Sequence, residues 1–220
     1  MITLIYLWKI PTRLIPRAFY FMATQKITLR RFDGVSFVKV LGTGKGETFT
    51  PSDADLHRWG FLVTIDEKFL SEFDHSKNLG KWRKGSVSEF RAILDPISSH
   101  GKWSKQEPFT PTNVQKRDGQ VAAITRARIK WSQNFRFWKA VPPVTLSLSG
   151  AQGLIGAIGI GEAPIGLQGT FSIWESAGAI KEFAYKGDAH QSAIQATAHY
   201  NWYSEELFAR FSVREVRGLL

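Results

Sequence analysis

The sequence predicts an α+β fold: two tandem ferredoxin-like copies facing each other as a pseudo-dimeric α+β barrel. Three observations lead there. The first is a repeat. Ile2–Ile10 (ITLIYLWKI) aligns with Val121–Ile129 (VAAITRARI) at an offset of 119 residues. Four more matches follow in the same order with slowly drifting offsets, as a duplication predicts. They pair Arg17-Ala18-Phe19 with Arg136-Phe137-Trp138, Val40–Gly44 with Ala157–Gly161, Gly60–Asp66 with Gly169–Glu175, and Leu70–Phe73 with Ile180–Phe183. The second observation is the order within each copy: strand, helix, strand, strand, short helix. That order lays helices over one face of an antiparallel sheet. The third is composition. With 43% apolar, 13% aromatic and 22% charged residues in 220, the chain is globular and long enough to bury a core.

The elements follow in order. Ile2–Ile10 is β-branched and aromatic and stops at Pro11, which reads as a strand. Val121–Ile129 reads the same way. Each Gly-x-Gly, at Gly42-Thr43-Gly44 and Gly159-Ile160-Gly161, is expected to turn a hairpin, because glycine reaches positive φ without penalty. The first copy spans 1–73. An insert at 74–120 holds a strand at Val87–Leu94 and a Gly/Pro/Ser-rich stretch at Asp95–Thr112. The second copy occupies 121–220 and ends in a helix over roughly 189–211. There Ala189, Ala193, Ala196, Tyr200, Tyr203 and Leu207 step by 4, 3, 4, 3, 4. His190 and His199 flank this stripe on opposite sides.

Charge and residue usage narrow the function. The 29 Lys+Arg against 19 Asp+Glu leave a net charge of +10, which favours anionic partners. The cations are scattered and no nucleic-acid-binding signature accompanies them, so nucleic acid is not expected. Zero cysteines exclude disulfides, thiolate ligands and iron–sulfur clusters. Eight Trp and sixteen Phe require a large apolar interior or an apolar ligand. No apolar run reaches the roughly 20 residues of a membrane span, and no signal-peptide pattern surrounds Met1–Trp8. The expected location is the cytoplasm, with peripheral attachment to a membrane left open.

Few motifs carry chemistry. Leu41-Gly-Thr-Gly-Lys-Gly46 lacks the ending of a phosphate loop, and its counterpart carries Glu162. None of the five histidines belongs to a metal triad, but a single imidazole suffices for a heme iron, since the porphyrin supplies four ligands. His190, beside the Ala-rich stripe, has room for a planar ring. In Val121–Ile129, alternation puts Arg126 and Arg128 on one face with Ala122 and Ile124. Two guanidiniums so spaced can clamp carboxylates such as heme propionates, or simply form a solvated strand face.

Six segments resemble the spheroidene monooxygenase family of carotenoid biosynthesis. They are Ile158-Gly-Ile-Gly-Glu-Ala-Pro-Ile-Gly-Leu-Gln-Gly-Thr-Phe-Ser-Ile-Trp174, Leu41-Gly-Thr-Gly-Lys-Gly-Glu-Thr-Phe-Thr50, Thr125-Arg-Ala-Arg-Ile129, Arg136-Phe-Trp138, Phe183-Ala-Tyr185 and Trp202-Tyr-Ser-Glu-Glu-Leu-Phe-Ala-Arg-Phe211. The likeness runs collinearly from Ile2 to Phe211. It implies a heme b monooxygenase that uses O2 and an external, ferredoxin-like electron donor. The substrate would be an acyclic carotenoid, hydroxylated at one end and then converted to a 2-keto group. It also implies a dimeric α+β barrel with heme between a sheet and its covering helices. His190 is then the expected iron ligand, with His57 as second choice, and Arg126 or Arg128 is expected near the propionates. Two further readings keep heme. One is another reaction, aldoxime dehydratase-like or peroxidase-like; the other is a non-catalytic heme or carotenoid carrier.

Overall fold

A computed structural model of the chain describes residues 1–45, 53–111, 119–129, 148, 150–162, 169–186 and 203–220. Among them, eight strands close into an antiparallel barrel: β1 Ile2–Lys9, β2 Val35–Gly44, β3 Ala54–Ile65, β4 Ser88–Gly101, β5 Val121–Ile129, β6 Leu154–Gly161, β7 Gly169–Trp174 and β8 Tyr203–Arg217. Around the barrel they run β1-β3-β2-β6-β7-β5-β8-β4, and β4 pairs with β1 to close it. Closure leaves no edge strand unpaired. The helices are α1 Ile15–Arg30, α2 Leu70–Asp74, α3 Lys77–Arg83 and α4 Ala177–Lys186.

The barrel divides into two four-stranded halves with the same internal order. One is β4-β1-β3-β2 and the other β8-β5-β7-β6. They meet along two seams. At one, Gly42 pairs with Gly161 and Thr43 with Ile160. At the other, β4 and β8 pair from Arg91↔Arg217 to Gly101↔Leu207. Glycines recur at matching places. A Cβ on Gly60 would meet the Tyr6 carbonyl oxygen at 1.8 Å, and one on Gly169 would meet that of Thr125 at 2.5 Å. Gly101 and Gly218, with φ of +87° and +78°, lie equally tight against the carbonyls of Glu206 and Glu89.

Alternation along each strand sorts side chains into an interior and an outer face. Ile5, Leu7, Leu62, Ile124, Phe171 and Phe211 belong to the packed interior. The outer face of the first half is a second core, roofed by α1, α2 and α3. Ala18, Phe21, Gln25 and Leu29 are the buried side of α1. Trp8, Trp59, Trp82, Trp103 and Trp174 are all buried, and every one of their indole N–H groups donates. The acceptors are Glu89 at 2.7 Å, Leu56 O at 2.6 Å, Gln25 at 2.6 Å, Glu162 at 2.6 Å and Ser172 at 2.9 Å. A buried indole requires such a partner.

Several expectations need correction. Tyr203–Phe211 is not the end of a helix; it lies in β8. Tyr203 and Leu207 are four apart, a spacing that fits a strand as well as a helix. Residues 189–202 lie outside the described residues. Val87–Leu94 is not a strand in a linker: the strand runs on to Gly101 and is the fourth strand of the first half. The Gly-x-Gly segments do not turn hairpins. Gly42-Thr43-Gly44 lies within β2, and Gly159-Ile160-Gly161 lies within β6, where the two halves are joined.

Candidate functional site

The two outer faces use the same ladder differently. In the first half, one row across the sheet reads Val40, Phe61, Tyr6, Arg91, and the next reads Val38, Val63, Leu4, Ile93. In the second half, the matching rows read Gly159, Thr170, Thr125, Phe208 and Ala157, Ser172, Ala123, Arg210. Six central positions filled by large apolar side chains in one half carry only Gly, Ala, Ser and Thr in the other. The result is a floor of small side chains, of which Ala123, Gly159 and Ser172 are buried, Ala157 and Thr170 half-buried and Thr125 exposed. At one end α4 closes over it, with Ile180 buried beside Val121, Ala123 and Trp174, and the Phe183 ring 5.2 Å from Trp174.

Arg210 and Phe208 border this floor on β8. The Arg210 guanidinium lies 5.9 Å from the centre of the Phe208 ring, and its Nε donates to Ser98 Oγ at 3.3 Å. No carboxylate forms a salt bridge with Arg210 among the described residues. The sequence signal for Arg210 was the alternation of Leu207, Ala209 and Phe211 with Phe208, Arg210 and Ser212, which the helical reading of this segment hid.

Arg126 occupies a different place. Its side chain points into the barrel with Ala122 and Ile124, where it pairs with Glu205 and lies 3.4 Å from Glu162. Lys39, from the other half, also pairs with Glu162. Trp103 donates to Glu162 and lies 5.6 Å from the Arg126 guanidinium. Ser104 and Lys105, with φ of 53° and 63°, donate their backbone N–H groups to Glu205 at 2.9 and 2.6 Å. These charges close one end of the barrel. Burial alone would raise the Glu162 carboxyl, but Lys39, Trp103 and Arg126 hold it below the usual range. Glu205 is likewise held low, against its burial, by those backbone N–H groups and Arg126. Burial depresses Lys39. The legible sign was Lys39, a cation on the same alternate face as Phe37 and Leu41.

Arg128 is exposed, and His190 lies outside the described residues, as does His199. The three described histidines are on the surface. His57 Nδ1 lies 3.1 Å from Ile10 O on the first half, and His75 Nδ1 lies 2.7 Å from Ser71 O. His100 is exposed on β4, opposite Phe208. Among the described residues no cluster of three His, Asp or Glu could hold a metal ion.

Among the described residues, the features that suit a heme are the small side chains of this face, which carry no bulk against a flat ring, and Arg210 at its rim, a cation suited to a carboxylate. Arg126 does not serve that face, because it is held by carboxylates inside the barrel.

No family model matches the chain. A protein of Rhodobacter capsulatus called spheroidene monooxygenase is 34% identical over 189 residues, covering 84% of this chain and 78% of that protein. The chain belongs to the spheroidene monooxygenase family. A Cereibacter sphaeroides protein of the same name is also 34% identical; the match covers 87% of this chain but only 60% of that longer relative. The crystal structure of an aldoxime dehydratase shares the fold, with a TM-score of 0.62 over 96% of this chain and 80% of that one, at 10% identity. Among the described residues no helix is long and apolar enough to cross a membrane.

Proposed function

We propose that this member of the spheroidene monooxygenase family oxygenates one end of an acyclic carotenoid on the outer floor of its second half. The observation that carries the reading is the replacement of six large outer side chains by Gly, Ala, Ser and Thr on an otherwise matching sheet. A face built this way gives up its own packing and leaves space for a flat or extended apolar ligand.

Heme b, when bound there, would supply the O2-activating chemistry, with electrons from an external ferredoxin-like donor. His190 is the proposed iron ligand. Arg210 takes the propionate-pairing role first expected of Arg126 or Arg128. The small floor residues position the ligand, and Trp174 and Phe183 wall off water at the closed end. Hydroxylation of the polyene end, repeated at the same carbon, gives a gem-diol that loses water to the ketone. The enzyme would meet its lipid-dissolved substrate at a membrane surface.

The same proposal includes descent from a duplicated ferredoxin-like unit. Each half has the order fourth, first, third, second strand, and the tight glycines pair as Gly60 with Gly169 and Gly101 with Gly218. The fourth strands are then β4 and β8, so the first copy extends beyond residue 73, the limit expected from sequence, while β8 takes the place of the helix expected within the second.

The test combines spectroscopy with pigment analysis. Protein reconstituted with heme b should show a Soret band that His190→Ala abolishes and His199→Ala keeps. Arg210→Ala should weaken heme retention, and Arg210→Lys should restore part of it. Co-expression with acyclic carotenoid synthesis should yield keto-carotenoid. Unoxidised pigment with heme-loaded enzyme and reductant present would replace this reading with a carrier or a dehydratase.

A further inference from the structure

The cations are scattered, but the net positive charge is concentrated in the first 32 residues, because no acid offsets it there. From Met1 to Phe32 there are six cations, Lys9, Arg13, Arg17, Lys26, Arg30 and Arg31, and no Asp or Glu. The first 32 residues thus hold +6 of the net +10. The other 188 residues, with 23 Lys+Arg and 19 Asp+Glu, hold only +4.

Most of this segment is the turn Thr12–Leu14 followed by α1. One side of α1 is settled: Ala18, Phe21, Gln25 and Leu29 are buried against the first half. The opposite side is an outward stripe through Arg13, Pro16, Tyr20, Ala23, Ile27 and Arg30, stepping by 3, 4, 3, 4, 3, with Phe19 and Lys26 alongside. Tyr20 is 65% exposed, Ile27 59% and Phe19 40%. A helix roofing a core normally turns polar side chains to water. This one turns three large apolar side chains outward, with cations at both ends and in the middle. Arg17 is not free for a partner: it donates to Lys84 O at 2.6 Å and lies over Phe21.

We propose that the outward face of Arg13–Arg31 docks on an anionic lipid surface, α1 lying in the interfacial plane. Tyr20, Ile27 and Phe19 would enter the headgroup–acyl boundary while Arg13, Lys26, Arg30 and Arg31 meet lipid phosphates. The apolar component favours lipid over nucleic acid, since an aliphatic Ile27 between cations gains nothing from a phosphate backbone. This deepens the membrane contact proposed above by naming its surface, and it stands or falls separately from the oxygenase chemistry.

The experiment is sedimentation of the full chain with vesicles of phosphatidylcholine alone or mixed with phosphatidylglycerol. The parent should bind the mixed vesicles and leave phosphatidylcholine alone. Two variants alter only exposed positions: Tyr20→Ser with Ile27→Ser, and Lys26→Glu with Arg30→Glu. Each should lower affinity for mixed vesicles by about tenfold or more, with an unchanged melting temperature. Turnover of carotenoid in detergent micelles should be unchanged in both, while turnover of carotenoid held in vesicles should fall. A parent that ignores mixed vesicles overturns the proposal, as do variants that bind them like the parent. If only the charge variant loses binding and the parent holds duplex DNA equally well, the face is an electrostatic nucleic-acid surface instead. Loss of turnover in micelles would count against the oxygenase reading's site, not against docking.

Discussion

The outer faces of the two barrel halves share a ladder and differ in what stands on it. On the first half, Tyr6 stacks on Trp8 with ring centroids 5.6 Å apart, and Trp8 stacks on Trp82 at 5.3 Å. Phe61 packs against both Tyr6 and Trp8 at 5.3 Å. Burial, and then the hydrogen bond to Asp74, raises the Tyr6 hydroxyl pKa, so it remains a donor. Arg91 completes this outer network, 2.5 Å from Asp74 and 3.0 Å from Glu215. On the second half the corresponding positions are Thr125, Thr170, Gly159 and their small neighbours. One face is filled by its own large side chains; the matching described positions of the other carry small ones. The proposed division between a stabilising half and a binding half rests on that contrast.

The comparison predicts its largest effect on the first half. Phe61→Ala or Trp8→Ala removes a fully buried ring from a filled core and should cost about 3–5 kcal/mol, read from urea denaturation. Tyr6→Thr, Phe61→Thr and Val40→Gly together would give the first half the second half's face, and the barrel should not fold. Near-parent stability in the triple variant would mean that the first face is not a core.

The next effect lies where the halves meet. Glu205→Gln leaves Arg126 buried with less compensation and weakens the acceptor for Ser104 and Lys105, which should cost about 3 kcal/mol. The same carboxylates set an acid limit. Glu162 and Glu205 are held below their unfolded value, so the stability they contribute is present above that value, about 4.3, and is lost as pH falls through their folded values. Unfolding free energy should therefore decline below about pH 4.3, and Glu205→Gln should make that decline shallower. An equal slope in the variant would remove Glu205 from the acid response.

The legibility of the sequence followed the periodicity of each segment. β1 and β5 were readable because β-branched and aromatic residues sit between breakers, and the structure places them at Ile2–Lys9 and Val121–Ile129. β8 was hidden because Ala and Tyr upstream impose a helical step that happens to meet Tyr203 and Leu207. The period of two from Leu207 to Val213 was the better guide. The glycines of β2 and β6 looked like turns because glycine signals both a turn and a close approach of strands. Arg126 and Arg128 were correctly placed on one strand face, but sequence does not say which face of a barrel strand looks inward; Ala122 and Ile124 in the core decide that. The floor could be read only after pairing, since Ala123, Ala157 and Ser172 become neighbours through the register of three strands.

The smallest stability effect is expected on that floor, and it separates the two faces most sharply. Thr125→Phe and Ala157→Phe place aromatic rings where the first half already has Tyr6 and Val38. If the second face were a filled core like the first, each ring would overpack it at a cost of about 1–3 kcal/mol. If it is a ligand floor, the free chain has room, and each should change stability by less than about 1 kcal/mol. The bound state should respond oppositely: the rings occupy the space proposed for the macrocycle, so heme content should fall to a trace. Denaturation midpoints of the heme-free variants, set beside their Soret absorbance after reconstitution, give both quantities. A large loss of stability with normal heme loading would reverse the assignment, making the second face core and sending the search for the ligand elsewhere on the barrel.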